Sequence, residues 1–289
     1  MANTIALRRR IKTAQNISKT TRAMQMIAAS KLKRAQEAVV ASRPYVTRLI
    51  AIAQNLAPQK NTSEDVHPYM VDTKISEKTL YIVIGPDKGL CGGLVTNLLR
   101  EYIKHMNENT SLFITVGKKI ESPISSTSKN VIASFSFGSI LPTPDKVYPI
   151  VELVDEYFLS GKVSAVKILV PHFESVFSQK QIIVDLLPIR INLTENQHTN
   201  TTVVKLIEPN KAELLPALLK RYIEMVIFQQ MLELFASFQA AQMMAMQNAT
   251  NNAKDIVSAL KLLYNKARQE KITSEILDIS SATVAMESR

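Results

Sequence analysis

The stretch GPDKGLCGG, residues 85–93, is where residue types and spacing in this chain come closest to chemistry. It follows an apolar run, TLYIVI (79–84), and precedes a helix-like run that begins at Leu94. A glycine-rich turn between a strand and a helix can offer backbone N–H groups and a positive helix end to a phosphate. A Walker-type loop needs Lys and then Ser or Thr directly after its last glycine, to reach the phosphates and hold magnesium. Here Gly93 is followed by Leu94 and Val95. The dinucleotide fingerprint needs GxGxxG and an acid about twenty residues further on, and GLCGG has a different order. Cys91 could serve as a nucleophile if the helix end lowered its pKa, but no histidine lies near it in sequence. His67, His105, His172 and His198 are scattered, and with one cysteine there is no metal-ligand spacing. No paired carboxylates and no Ser–His–Asp order stand out. The reading is a tight turn whose glycines serve packing, in a chain with no catalytic residue, cofactor or metal of its own.

The elements that must position this turn are legible from the helix breakers. All seven glycines fall between Gly85 and Gly161. Residues 1–57 hold one proline, Pro44, and no glycine, and residues 217–289 hold neither. In the first segment an apolar stripe runs Leu7, Ile11, Ala14, Ile17, Thr21, Met24, Ala28, Leu32, Ala35, Val39, at helical steps of three and four. In the last segment a stripe runs from Leu215 through Gln229, Leu232, Phe235, Gln239, Met246, Ala253, Ile256 and Ala259 to Leu263, with polar lapses at the two glutamines. Helices of 50 to 70 residues would span roughly 75 to 105 Å, more than a small core can cover. Each must bury its stripe on another rod, and an antiparallel coiled coil is the expectation. Pro44 should kink the first helix, and Pro58 should mark its end.

Between the helices the pattern alternates. Strands are expected at 79–84, 112–117, 131–137, 166–171 and 182–189, and helices at 94–106 and 148–161. That alternation predicts a small α/β domain with a mainly parallel sheet. The expected division is an N-terminal helix at 1–57, a linker at 58–78, an α/β domain at 79–207 and a C-terminal helix at 208–289.

Charge is distributed unevenly. Residues 1–60 carry twelve Lys and Arg and one acid, Glu37, so the net +10 of the chain resides in its first fifth. Such a segment seeks an acidic partner: nucleic acid, anionic lipid or an acidic protein surface. A nucleic-acid arm would need aromatic or base-reading side chains among the bases, and residues 1–57 offer Tyr45 alone. One cysteine excludes an internal disulfide. No apolar run approaches the length of a membrane span. The start, MANTIALRRRIKTAQ, is read as mature sequence, because the helix pattern runs through it.

Four motifs then become specific together: IKTAQNISKTTRAMQMIAASKLKRAQ, SRPY, DKGLCGGL and LLYNKARQEKITSEILDI. In order and spacing they resemble the gamma subunit of F-type ATP synthase over essentially the full length. The resemblance implies a coiled-coil shaft and a central Rossmann-like α/β domain. It implies a non-catalytic rotor stalk that links a membrane rotor ring to nucleotide changes at the beta subunits. The implied partners are the alpha and beta subunits, an epsilon subunit and the ring, with no nucleic acid. The implied location is peripheral, on the cytoplasmic face of a bacterial membrane. Arg268 and Gln269 match a family pair that contacts a loop of beta, with Thr273 beyond. Met24 lies where the first helix faces beta, and the basic residues Lys31, Lys33 and Arg34 are expected to meet an acidic beta loop. Glu208, with Lys205 and Ile207, lies where the family contacts the ring. Phe238, Gln242 and Asn251 stand where the family usually has Glu, Arg and Asp. These departures, with Lys205, suggest as a second reading a divergent F-type-like ATPase used for hydrolysis-driven work.

Overall fold

The computed structural model describes residues 4–56, 67–71, 76–105, 110–128, 130–190 and 211–287. Ten elements follow one another: helix α1 (Thr4–Leu56), strand β1 (Thr79–Ile84), α2 (Leu94–His105), β2 (Ser111–Val116), α3 (Lys118–Thr127), β3 (Val131–Phe135), α4 (Tyr148–Leu159), β4 (Ala165–Phe173), β5 (Gln179–Leu187) and α5 (Lys211–Glu287). The chain divides into two units, residues 29–242 and residues 1–28 with 243–289. Most of the expected linker lies outside the described residues.

In the larger unit the strands form one sheet in the order β3-β2-β1-β4-β5. β1 runs parallel to β2 and β4, β2 parallel to β3, and β5 returns antiparallel to β4. The parallel core reads as continuous apolar sequence because helices cover it. Leu80, Ile82, Val83 and Ile84 of β1 are fully buried. One core cluster joins Val83, Phe113 and Leu169 to Leu98 and Tyr102 of α2 and to Ile120 and Ile124 of α3. Helix α4 buries Ile150, Val151, Val154 and Phe158 at steps of one, three and four.

Helix α3 was not expected from sequence. KKIESPISST carries Pro123 and four hydroxyl residues, all weak helix formers. Burial of Ile120 and Ile124 holds it, and Asp87 from beyond the helix accepts the N–H of Lys118 in its first turn. The first long helix continues through the exposed Pro44 to Leu56, as the resumed apolar pattern after Pro44 leads one to expect.

The seam of α1 differs in register from the expected stripe. In residues 4–28 the positions withdrawn from solvent are Thr4, Leu7, Ile11, Ala14, Ser18, Thr21, Gln25 and Ala28. These alternate in steps of three and four without a lapse, the 3.5-residue period of a coiled coil. Ile17 and Met24, placed on the stripe by their apolar type, lie outside it at 50% and 37% exposure. In α5 the corresponding positions after Met246 are Thr250, Ala253, Val257, Leu260, Tyr264 and Ala267. Ile256, Ala259 and Leu263 are exposed, so the expected stripe drifts off the seam by one residue there. The two helices of this unit run antiparallel. Thr21 and Thr250 share a hydrogen bond between their hydroxyls at 2.7 Å. One groove lies between Gln15–Lys19 and Lys254–Ser258, and a second between Arg22–Met26 and Gln247–Lys254.

Within the larger unit α1 keeps the same alternation, with Leu32, Ala35, Val39, Leu49 and Ala53 buried and Ser42 and Val46 half-buried. There α5 is enclosed: all ten residues from Met231 to Ala240 are buried, so no face of the helix meets solvent.

The ends of β1 and β2 approach closely. A Cβ on Gly117 would lie 2.0 Å from the Gly85 carbonyl oxygen, and Gly117 has φ +119°. Gly117→Ala should therefore cost on the order of 3 kcal/mol through strain and overlap. A denaturant titration of the variant checks this: a midpoint unchanged from the parent would show that the two strand ends can separate.

Candidate functional site

Three places carry the features that the sequence singled out. The first is the glycine turn. Asp87 follows β1 and turns back to the N-terminus of α3. Its Oδ1 accepts the backbone N–H groups of Lys118 (2.9 Å) and Phe137 (3.0 Å), and its Oδ2 accepts that of Gly138 (2.6 Å). Lys119 donates its N–H to the carbonyl of Pro86 at 3.1 Å. Asp87 thus satisfies the start of α3, not that of α2, the helix that the glycine turn leads into. Partial burial pushes the Asp87 carboxyl up, but the three backbone donors outweigh it and hold it below the ordinary carboxylate range. Gly92, at φ +58°, completes the turn before α2. Cys91 is buried against Leu94, Phe238 and Ala241, and that burial raises its thiol pKa. A protonated, enclosed thiol is packing, not a nucleophile.

The second place is the enclosed stretch of α5. Its apolar side chains meet the domain directly: Phe235 stacks on Phe137 with centroids 6.3 Å apart, and Ser237 donates to the carbonyl of Pro171 in β4 at 3.1 Å. Glu233 is inside this stretch, with its side chain 3% exposed. Its Oε1 receives Arg43 Nη2 of α1 at 2.9 Å and Gln229 Nε2 at 3.2 Å. Its Oε2 meets no hydrogen-bond donor in good geometry among the described residues, and faces His172 Nδ1 of β4 at 3.4 Å. Ser42 of α1 donates to Gln229 Oε1. Sequence reasoning noticed Gln229 only as a lapse in the stripe, Ser42 and Arg43 only as part of SRPY and His172 only as a scattered histidine, and passed over Glu233. A signal was present: Glu233 is the one charged residue between Met225 and Ala249.

The third place is the outer surface of the smaller unit. Arg268, Gln269 and Thr273 are exposed on α5, and the Thr273 hydroxyl donates to the Gln269 carbonyl at 3.0 Å. Met24 is exposed on α1. In the larger unit Lys33 and Arg34 are exposed, whereas Lys31 is half-buried and donates to the carbonyl of Ser139 at 3.1 Å. Lys205, Ile207 and Glu208 lie outside the described residues.

The family model described as ATP synthase matches residues 3–286. An ATP synthase gamma chain of Methylacidiphilum infernorum is 38% identical over 99% of this chain and 100% of its own length. Gamma chains of Dehalococcoides mccartyi strain 195 and Thiobacillus denitrificans are 37% and 32% identical, over 99% and 97% of this chain and 100% and 98% of theirs. The chain belongs to the ATP synthase gamma chain family. Two solved structures share its fold. The rotor of the Euglena gracilis mitochondrial ATP synthase in rotational state 1 aligns with a TM-score of 0.65 at 17% identity, covering 93% of this chain and 98% of that one. A chain of the OSCP/F1/c-ring assembly from the same organism aligns with a TM-score of 0.66 at 19% identity, covering 99% and 96%.

Within this gamma-family framework the departures at Phe238, Gln242 and Asn251 have distinct settings. Phe238, 8% exposed, packs against Cys91 and Leu94, so an apolar ring closes the contact between α5 and the glycine turn. Gln242 is half-buried and Asn251 exposed, and nothing in the structure explains either. Among the described residues no helix is long and apolar enough to cross a membrane.

The Asp87 cap generates a prediction. Asp87→Ala removes three charge-assisted hydrogen bonds and should cost about 2 kcal/mol after allowing for its partial exposure. Because the folded-state pKa lies below the unfolded one, this stabilisation is complete above the ordinary Asp value, near 3.9, and disappears as pH falls through the folded value. Unfolding midpoints of parent and variant should differ at neutral pH and converge in acid. A gap that persists undiminished in acid would refute the assignment.

Proposed function

We propose that this gamma chain is the central rotor stalk of its synthase. Its coiled coil turns inside a ring of alpha and beta subunits and couples a membrane rotor ring to nucleotide-state changes at beta, without binding or cleaving nucleotide itself. The observation that carries this reading is the outer surface of the smaller unit. Ile17, Met26 and Ile27 of α1 and Ile256, Leu262, Leu263, Ile276 and Ile279 of α5 are each at least half exposed, interleaved with Arg8, Arg9, Lys12, Lys19 and Arg22. Large apolar side chains spread over a coiled coil call for a cover. A basic apolar rod fits a sleeve that presents acids and apolar loops. Diffuse charge attracts without fixing one orientation, which suits a part that must turn past successive subunits. Arg268, Gln269, Thr273 and Met24 would then touch beta, and Lys205, Ile207 and Glu208 the ring. The complex would hold the chain at the cytoplasmic face of a bacterial membrane.

Affinity purification of the tagged chain from its own cell tests the reading. It should bring alpha, beta, epsilon and ring subunits. Recovery of alpha and beta without the ring would support instead a hydrolysis-driven motor, and recovery of neither would refute the stalk. Within that complex Lys33→Gln with Arg34→Gln should loosen the hold on beta by about 1 kcal/mol at low ionic strength, the scale of two exposed ion pairs, and by little at high salt. Lys31→Gln should act differently, because its ammonium holds the Ser139 carbonyl. Salt-dependent retention of beta on the immobilised complex reads both.

A further inference from the structure

We infer that Glu233 is a positioning residue: its buried carboxylate fixes the rotation and register of α5 against α1 and the sheet at the base of the stalk. The inference rests on the rotor reading above and adds a residue to it. Three elements converge on this one side chain. Helix α1 supplies Arg43 at 2.9 Å, α5 itself supplies Gln229 at 3.2 Å one turn earlier, and β4 places His172 Nδ1 at 3.4 Å. Ser42, beside Arg43, engages Gln229, so α1 is joined to α5 by two adjacent polar contacts.

Stability alone does not account for the arrangement. Removing a carboxylate from water is costly, and replacing a buried ion pair by apolar residues of similar volume is often neutral or stabilising. The neighbouring positions of α5 are apolar, and Leu232 and Leu234 are fully buried. A leucine or methionine at 233 would continue that pattern. What a carboxylate adds is direction. Apolar side chains tolerate rotation and sliding of one helix on another, whereas the Arg43, Gln229 and His172 groups around Glu233 are directional and lose alignment together when α5 turns or slides. Directional polar contacts are the known means of holding helices in one register at some cost in stability. In a part that carries torque, slippage between α5 and the domain would waste rotation, and Glu233 sits where the two meet.

The experiment uses the assembled complex in membrane vesicles. It reads the membrane potential built up per ATP hydrolysed with a voltage-sensitive dye, together with the unfolding temperature of the complex. Arg43→Met alone should lower the unfolding temperature, because it strips the main partner from a buried charge. The double variant Glu233→Met with Arg43→Met should regain that temperature. Its hydrolysis rate should be retained while the potential per ATP falls. Glu233→Gln keeps the shape and serves if the double variant does not assemble; it too should lose potential per ATP. A parental ratio in both the double variant and Glu233→Gln would overturn the inference. So would failure of the double variant to assemble together with a parental ratio in Glu233→Gln, since that pattern marks a purely structural role. A parent chain that recovers no alpha and beta would overturn the rotor reading itself, and is told apart by being seen before any substitution is made.

Discussion

A helix with no exposed face must be wrapped, and the stretch Met231–Ala240 of α5 imposes that demand on the larger unit. Most surface helices bury a single stripe. Here the stripe has widened to the full circumference. Met231, Leu232, Leu234, Phe235 and Phe238 each contribute about 1.5–3 kcal/mol on leaving water. The cover comes from several elements. Phe137 lies just after β3 and Pro171 in β4, Cys91 belongs to the glycine turn and Leu94 to the start of α2, and Ser42 and Arg43 belong to α1. The glycine turn thus has a structural reason. Its tight geometry brings Cys91 and Leu94 to the helix, and its Asp87 satisfies the start of α3.

The division of labour along the two long helices follows from the same demand. In the larger unit the α1 seam is apolar, with Leu32, Val39 and Leu49 buried. In the smaller unit it is mixed: Leu7 and Ile11 are followed by Ala14, Ser18, Thr21, Gln25 and Ala28, and α5 contributes Thr250, Ala253, Val257, Leu260 and Tyr264. Small residues let two helices approach closely but offer little area to withdraw from water. The hydroxyl pair Thr21–Thr250 replaces part of the missing apolar contact. Meanwhile several large apolar side chains of the smaller unit, among them Ile17, Met26, Ile256 and Leu262, are exposed. A seam that mixes small and polar residues with Leu7, Ile11, Val257 and Leu260, under an outside that keeps large apolar and basic side chains, departs from the usual pattern of a free-standing coiled coil. On the rotor reading proposed above, that outer surface is the one a sleeve would cover.

The sequence was most informative where one local period dominates. TLYIVI, the run after Leu94 and the run from Tyr148 each became the element their pattern indicated, because a buried strand or an amphipathic helix writes its surroundings into its own residues. The seam of the shaft was harder. Choosing the apolar residue at each turn led to Ile17 and Met24, whereas the structure keeps the 3.5-residue period and accepts Ser18 and Gln25. Period outranked hydrophobicity because an antiparallel partner follows the supercoil, not the composition. Helix α3 was obscured by Pro123 and its hydroxyls, and its support, Asp87, lies 31 residues before Lys118. The Glu233 cluster joins residues 190 apart between α1 and α5. No local window carries such pairings.

Glu233 and Asp87 show how the same side-chain chemistry takes opposite roles by location. Asp87 accepts three backbone N–H groups at a half-exposed helix start, where the field of the helix end and remaining contact with water both favour its charge. Its contribution is to stability. Glu233 stands in a helix interior among apolar neighbours, with Arg43 reaching in from a half-exposed position and one carboxylate oxygen lacking a well-aligned donor. Burial opposes its charge, and the pairing returns part of that cost only while α1, α5 and β4 keep their relative positions. A carboxylate held under those terms makes displacement of any of the three elements unfavourable in proportion to the charge left uncovered. On the rotor reading proposed above, that penalty against slippage is the useful property of a charge that stability alone would have replaced.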